Sequence, residues 1–339
     1  MKKEFGEKSY RPVKFEFSAV FFGSANMEYQ NLFNRKLPGN ILASAYRTPM
    51  TVHQLAVELG VASAYLEDEI AFLEKYNLLT ALPGGKYQTR LIIFTEEFMN
   101  EFYQKAEQGI APAVKNILAD TAKKLPRLRE LQFIGSGLDD NSLLWDLLFE
   151  MIREGWMLSK AVQKEISDTH SLYSGLNGIC YGHTYEVPSD CVYKLPSCAG
   201  YCPVRNRYAA SYADFGILPD KNRYTSHMEE VKASLDAMLS GEADALLPVV
   251  TKEQKGAALE ILQEEISAFA SLFDTLCGCT RSILQAHAPE SVSALIDPVL
   301  ANVLFFKTVS LFGVCAVRTE ALTIPEDERL LGGMIYATE

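Results

Sequence analysis

The chain has 339 residues, 48% hydrophobic and 22% charged, with a net charge of −11. That composition excludes a disordered or collagen-like chain, and the length predicts two or three domains, because single cores rarely grow past about 250–300 residues. The charge is uneven, with a net +2 over residues 1–95 and −13 over residues 96–339, so a nucleic-acid patch is expected only in the first hundred residues.

Met1–Lys14 alternates charges and has no apolar core, so no secretory signal is expected. Seven cysteines without such a signal predict reduced thiols and a cytoplasmic protein. Residues 12–22 alternate weakly and predict a strand. A short helix is expected over Asn40–Ala45, ending at Arg47-Thr48-Pro49, because proline cannot continue a helix. Thr51-Val52-His53-Gln54 is a capping box, opening a helix that Gly60 ends. Ser63 is the expected cap of a third helix through Tyr76. Its stripe is Leu66, Ile70 and Leu73, and Asn77 is the expected left-handed stop. Leu78–Leu82 and Lys86–Phe94, joined by Pro83-Gly84-Gly85, predict a β-hairpin. Thr95 then caps a helix that has Glu96 and Glu97 in its first turn.

Helices are further expected at 96–108, 112–124 and 141–160, and strands and loops over 171–225. A second capping box, Thr251–Gln254, opens an amphipathic helix expected to reach Leu276. Another helix is expected at 298–319. Leu295–Val317 is the most apolar stretch, but Asp297, Pro298 and Lys307 favour a buried helix over a membrane span. Residues 322–325 and 332–337 predict a second hairpin.

Helix, helix, tight turn, helix and hairpin within about sixty residues is the order of a winged helix-turn-helix. The run Thr51–Leu79 resembles bacterial winged-helix regulators. With Gly84–Phe94 it is closest to sigma-factor-like helix-turn-helix proteins that carry a long C-terminal extension. Only some thirty residues precede the module, too few for a promoter-melting region, so promoter initiation is not implied. The expected fold class is α+β, an N-terminal winged helix-turn-helix followed by a larger mixed α/β region. The expected divisions are an arm over 1–37, the module over 38–97, and an effector or assembly region over 98–339, with subdomains 98–250 and 251–339.

The candidate DNA-contacting residues are Arg47, His53, Ser63, Ala64, Glu67, Asp68, Lys86, Tyr87 and Arg90. Lys86 and Arg90 flank the wing and are the expected phosphate contacts. The third helix is expected to bury the arc of Tyr65, Leu66, Glu69, Ile70, Phe72, Leu73 and Tyr76. Its opposite arc carries Glu67, Asp68 and Glu74 against Lys75 alone, a field that repels phosphates, although acids can accept from cytosine N4. The alternative is a protein-interaction module docking a basic partner on that arc.

Cys180, His183, Cys191, Cys198 and Cys202 are weak zinc candidates, because their spacing lacks paired C-x-x-C knuckles. There is no G-x-S-x-G, no H-E-x-x-H and no complete nucleotide-binding glycine motif around Gly135-Ser136-Gly137, so an enzyme is not expected. No cofactor is expected. The expected partners are double-stranded DNA, a small-molecule effector and a second copy in a homodimer, with no membrane.

Overall fold

The computed structural model describes residues 13–21, 32, 35–161, 178–184, 198–205, 207–215, 223–324 and 332–338. The fold is mixed α+β, with helices predominating over small sheets. Two compact units are each assembled from separated segments. Residues 1–102, 164–186 and 277–303 make the first, and residues 103–163, 187–276 and 304–339 the second.

The first unit begins with β1 (Glu16–Phe21), inside the expected strand. Helix α1 (Lys36–Ser44) starts before the expected Asn40. Pro38 does not stop it, because amides in a first turn have no intrahelical acceptor. β2 (Met50–Thr51) leads into α2 (Val52–Leu59). The expected capping box is present: the Gln54 amide donates to Thr51 Oγ1 at 3.2 Å and the Thr51 amide donates to Gln54 Oε1 at 2.8 Å. Gly60 ends the helix at φ 66°, a left-handed conformation that a Cβ would strain.

Helix α3 (Ser63–Lys75) differs at its start from the expectation. Its N-cap is Ala62, in extended backbone, and Ser63 is already helical, so no side chain caps this end. Its far end follows the sequence. Asn77 has φ 58°, its amide donates to the Glu74 carbonyl at 3.0 Å, and the Leu78 amide donates to Leu73 at 2.9 Å. That pair of bonds satisfies two carbonyls of the last turn.

β3 (Leu79–Leu82) and β4 (Lys86–Thr89) form the expected hairpin, with Gly84 at φ 80° and Gly85 at φ 67° in its turn. β2 pairs on the other side of β4, giving the order β2-β4-β3. The second strand stops at Thr89 instead of running to Phe94. On its edge away from β3 the Thr89 amide donates to the Ala45 carbonyl at 3.1 Å and its hydroxyl to Leu42 at 2.7 Å, while the Arg90 amide makes the last bond across the hairpin. Ile93–Phe94 instead forms β5, parallel to β6 (Gly178–His183), and β6 pairs antiparallel with β1. The Ile93 amide donates to the buried Tyr46 hydroxyl at 3.2 Å. Ile41, Leu55, Leu66, Ile70, Leu73, Leu91 and Cys180 share one core. The 3-10 helix Glu290–Leu295 touches β4 in this unit, with Val292 fully buried.

Helix α4 (Glu96–Arg129) replaces the two helices expected at 96–108 and 112–124. The Phe98 amide donates to Thr95 Oγ1 at 3.3 Å, the expected cap. A stripe through Phe98, Phe102, Ala106, Ile110, Val114, Leu118, Leu125 and Leu128 is buried, and it carries the helix past Gly109. Pro112 lies on the exposed side, where its lost amide bond is least costly.

In the second unit, α5 (Asp140–Leu158) is capped by Asp139, which accepts from the Ser142 amide at 3.0 Å. The Gly135-Ser136-Gly137 segment is a turn held by Arg129, which donates to the Ser136 carbonyl at 3.0 Å and the Leu138 carbonyl at 2.8 Å. A four-stranded sheet has the order β7 (Cys198–Arg205), β8 (Tyr208–Asp214), β10 (Gly332–Ala337), β9 (Val249–Val250). Among the described residues, 322–324 form no strand, so the expected C-terminal hairpin is not found there. β10 lies antiparallel to β8 and parallel to β9, because its buried Gly332–Ile335 segment packs against α5. Helix α6 (Arg223–Ser240) precedes β9. The helix expected over 251–276 divides at Leu262 into α7 (Lys252–Ile261) and α8 (Gln263–His287). Helix α9 (Ile296–Arg318) matches the expected buried helix, and Phe312 packs edge-on to Phe269 and Phe273 at centroid distances of 5.2 and 5.5 Å. Among the described residues no single helix is long and apolar enough to cross a membrane.

Candidate nucleic-acid interface

The exposed surface of the first unit around α2, α3 and the hairpin separates into two parts of opposite character. Arg47 is exposed in the turn after α1. Lys86 pairs with Thr51 across β2-β4 and with Leu82 across β3-β4, so it stands beside the start of α2, where His53 is exposed. Arg90 is exposed just past β4, with its amide donating to the Leu78 carbonyl at 2.9 Å. Among the described residues no ion pair engages Arg47, Lys86 or Arg90. Tyr87 is half-buried and packs against the core, because it alternates with Lys86 across the strand.

The surface of α3 is acidic and apolar instead. Glu67 and Asp68 are exposed, Ala64 is exposed and Ser63 half-buried. Glu74, expected in the open arc, is half-buried. Tyr65, expected in the buried arc, is 70% exposed. The reason is local. Arg35 covers one flank of α3 by donating to Glu69 Oε1 at 2.6 Å and lying 5.0 Å from the Phe72 ring centroid. That cover reaches Glu69 and Phe72 and stops one turn short of Tyr65. Sequence reasoning missed this, because residues 65, 69, 72 and 76 share a side by periodicity alone.

The zinc candidates do not assemble among the described atoms. Three residues apart on β6, Cys180 and His183 point to opposite faces. Cys180 is fully buried in the apolar core, while His183 packs on Phe94 and Tyr181 at 5.7 and 5.1 Å. Among the described residues no group of three potential metal ligands converges. Cys191 and the side chains of Cys198 and Cys202 lie outside the described residues.

A second polar cluster lies in the second unit and was not expected. Asp146 and Glu150, one turn apart on α5, are 4% and 2% exposed. The Gly333 amide donates to Asp146 Oδ1 at 3.1 Å. Burial pushes the Asp146 carboxyl well above the usual carboxylate range, and the nearby Glu150 charge adds to the shift. Glu150 accepts from Ser211 Oγ at 2.6 Å and from Arg153 at 2.7 Å, with Lys255 Nζ at 3.9 Å. Lys255 also lies 4.0 Å from the Tyr336 ring centroid. Burial pulls the Lys255 amine below its ordinary range. With Asp146 raised, Glu150 and Glu154 are the acids that offset Arg153 and Lys255, and the cluster ties α5 to the sheet. Its signal in the sequence is two acids four apart inside the apolar run Leu143–Ile152.

The chain matches no protein-family model, no curated protein and no solved structure.

Proposed function

We propose that the chain is a bacterial, cytoplasmic DNA-binding transcription regulator whose residues 38–97 act as a winged helix-turn-helix. One observation carries this reading: Lys86 and Arg90 are exposed on and just past the hairpin that follows α2 and α3, Arg47 is exposed after α1, and among the described residues no ion pair engages Lys86 or Arg90. In this reading the hairpin is the wing. Its cations hold phosphates and fix the register of the module on a duplex. Helix α3 then presents Ser63, Ala64, Glu67 and Asp68 to base edges, where the acids accept from cytosine N4. The remaining α/β region senses a small-molecule effector or pairs two chains. A dimer would set the spacing of two modules against two half-sites. The chain does no catalysis in this reading and needs no cofactor.

The exposed acids on α3 support a second reading, a protein-interaction module for a basic partner. Salt dependence separates the two. Mixed-sequence duplex titrated at 50 and 200 mM salt is expected to bind with a steep negative slope, because each neutralised phosphate releases counterions. An absence of duplex binding at the lower salt would favour the interaction module.

A further inference from the structure

We infer that Tyr65 is the residue with which α3 discriminates between DNA sequences, by packing its ring on a thymine methyl. This rests on the DNA-binding reading and makes it more specific. Tyr65 is 70% exposed, against 52% for Leu158, the next most exposed large hydrophobic side chain among those described. Leaving an aromatic ring in water on a rigid helix forfeits its burial, and among the described residues of the first unit none covers it.

Its position suits a base contact. Tyr65 is the third residue of α3, and first-turn residues of the second helix in a helix-turn-helix reach base edges. Ala62 and Ala64 flank it and are exposed, so no bulky neighbour screens the ring. The exposed arc has no cation before Lys75, so this end of the helix is not built to grip phosphate. What it offers is an apolar ring beside two carboxylates, Glu67 and Asp68. In the major groove the apolar group is the thymine methyl, and the donors suited to carboxylates are exocyclic amines such as cytosine N4. The Arg35 bridge to Glu69 and the contact with Phe72 hold α3 in one orientation, which discrimination requires.

The test uses the full chain and a pool of random 20-base-pair duplexes. Wild type, Tyr65→Phe and Tyr65→Ala are each used to enrich the pool at low salt. The dominant enriched duplex is then remade with uracil in place of single thymines, which removes only the methyl group. Wild type and Tyr65→Phe are expected to enrich the same thymine-containing site and to lose about fourfold in affinity at one uracil position, the effect of leaving one CH₂-sized group unburied. Tyr65→Ala is expected to bind the pool with an unchanged salt slope, enrich it weakly and ignore that uracil. If Tyr65→Ala enriches the same site with the same uracil sensitivity, the assignment of Tyr65 is wrong while DNA binding stands. If wild type retains no duplex at low salt, the DNA-binding reading falls and the role of Tyr65 with it.

Discussion

Burial and the nearby Glu150 charge raise the Asp146 carboxyl well above the usual carboxylate range, and the Gly333 amide that donates to it offsets this only in part. The sign of its effect on stability follows from linkage. Its folded pKa is raised, so its contribution is complete below the unfolded value near 3.9 and is lost as pH rises toward the folded value. Over that window the unfolded chain is ionised and the folded one is not, a slope of about 1.4 kcal/mol per pH unit against folding. Asp146→Asn keeps an oxygen for the Gly333 amide and removes the titration. Urea midpoints at pH 4.5 and 8 are therefore expected to fall less for the variant than for wild type. Equal falls would mean that Asp146 is ionised in the fold. Arg153 has the opposite role, compensating the buried Glu150 charge. Arg153→Met leaves Glu150 with Ser211 and a distant Lys255, and is expected to cost about 3 kcal/mol by urea unfolding. Only the two acids inside the apolar run Leu143–Ile152 were legible beforehand, because periodicity marks an acid on a helix without saying what will face it.

Elements whose signals are local were legible, and those decided by distant partners were not. The capping boxes at Thr51 and Thr251, the left-handed Gly60 and Asn77, and the Gly84-Gly85 turn each involve residues within a few positions of one another. Thr51→Ala removes the hydroxyl that accepts from the Gln54 amide and is expected to cost about 1 kcal/mol in urea unfolding. A cost near zero would mean that packing alone sets the start of α2. By contrast, Thr89 at the end of β4 bonds to the Leu42 and Ala45 carbonyls at the end of α1, and β5 exists only because β6 lies beside it. Gly109 and Pro126 look like breaks until the buried stripe of α4 is seen on both sides of them, Ala106 and Ile110 about the first and Leu125 and Leu128 about the second. The candidate surface was legible in part for the same reason. The exposure of Lys86 and Arg90 follows from strand alternation and the turn, whereas that of Tyr65 depends on where Arg35 stops.

At the scale of the molecule, the first unit is completed from a distance. Residues 164–186 and 277–303 join residues 1–102. Cys180 on β6 fills a place in the core, and the 3-10 helix Glu290–Leu295 touches the hairpin strand β4. A fragment of residues 1–97 leaves β1 and β5 unpaired and strips that cover, so it is expected to melt without the cooperative transition of the full chain in calorimetry. The full chain is therefore the form in which DNA binding should be measured. In the proposed function, wing cations hold DNA while the acids of α3 oppose phosphate approach. The most direct measurement is the salt slope of duplex binding for wild type and for Lys86→Ala/Arg90→Ala, by fluorescence anisotropy. Each lost phosphate contact flattens the slope by about 0.9, so the double variant is expected to be flatter by nearly two. A double variant that binds with the slope of wild type would contradict the account.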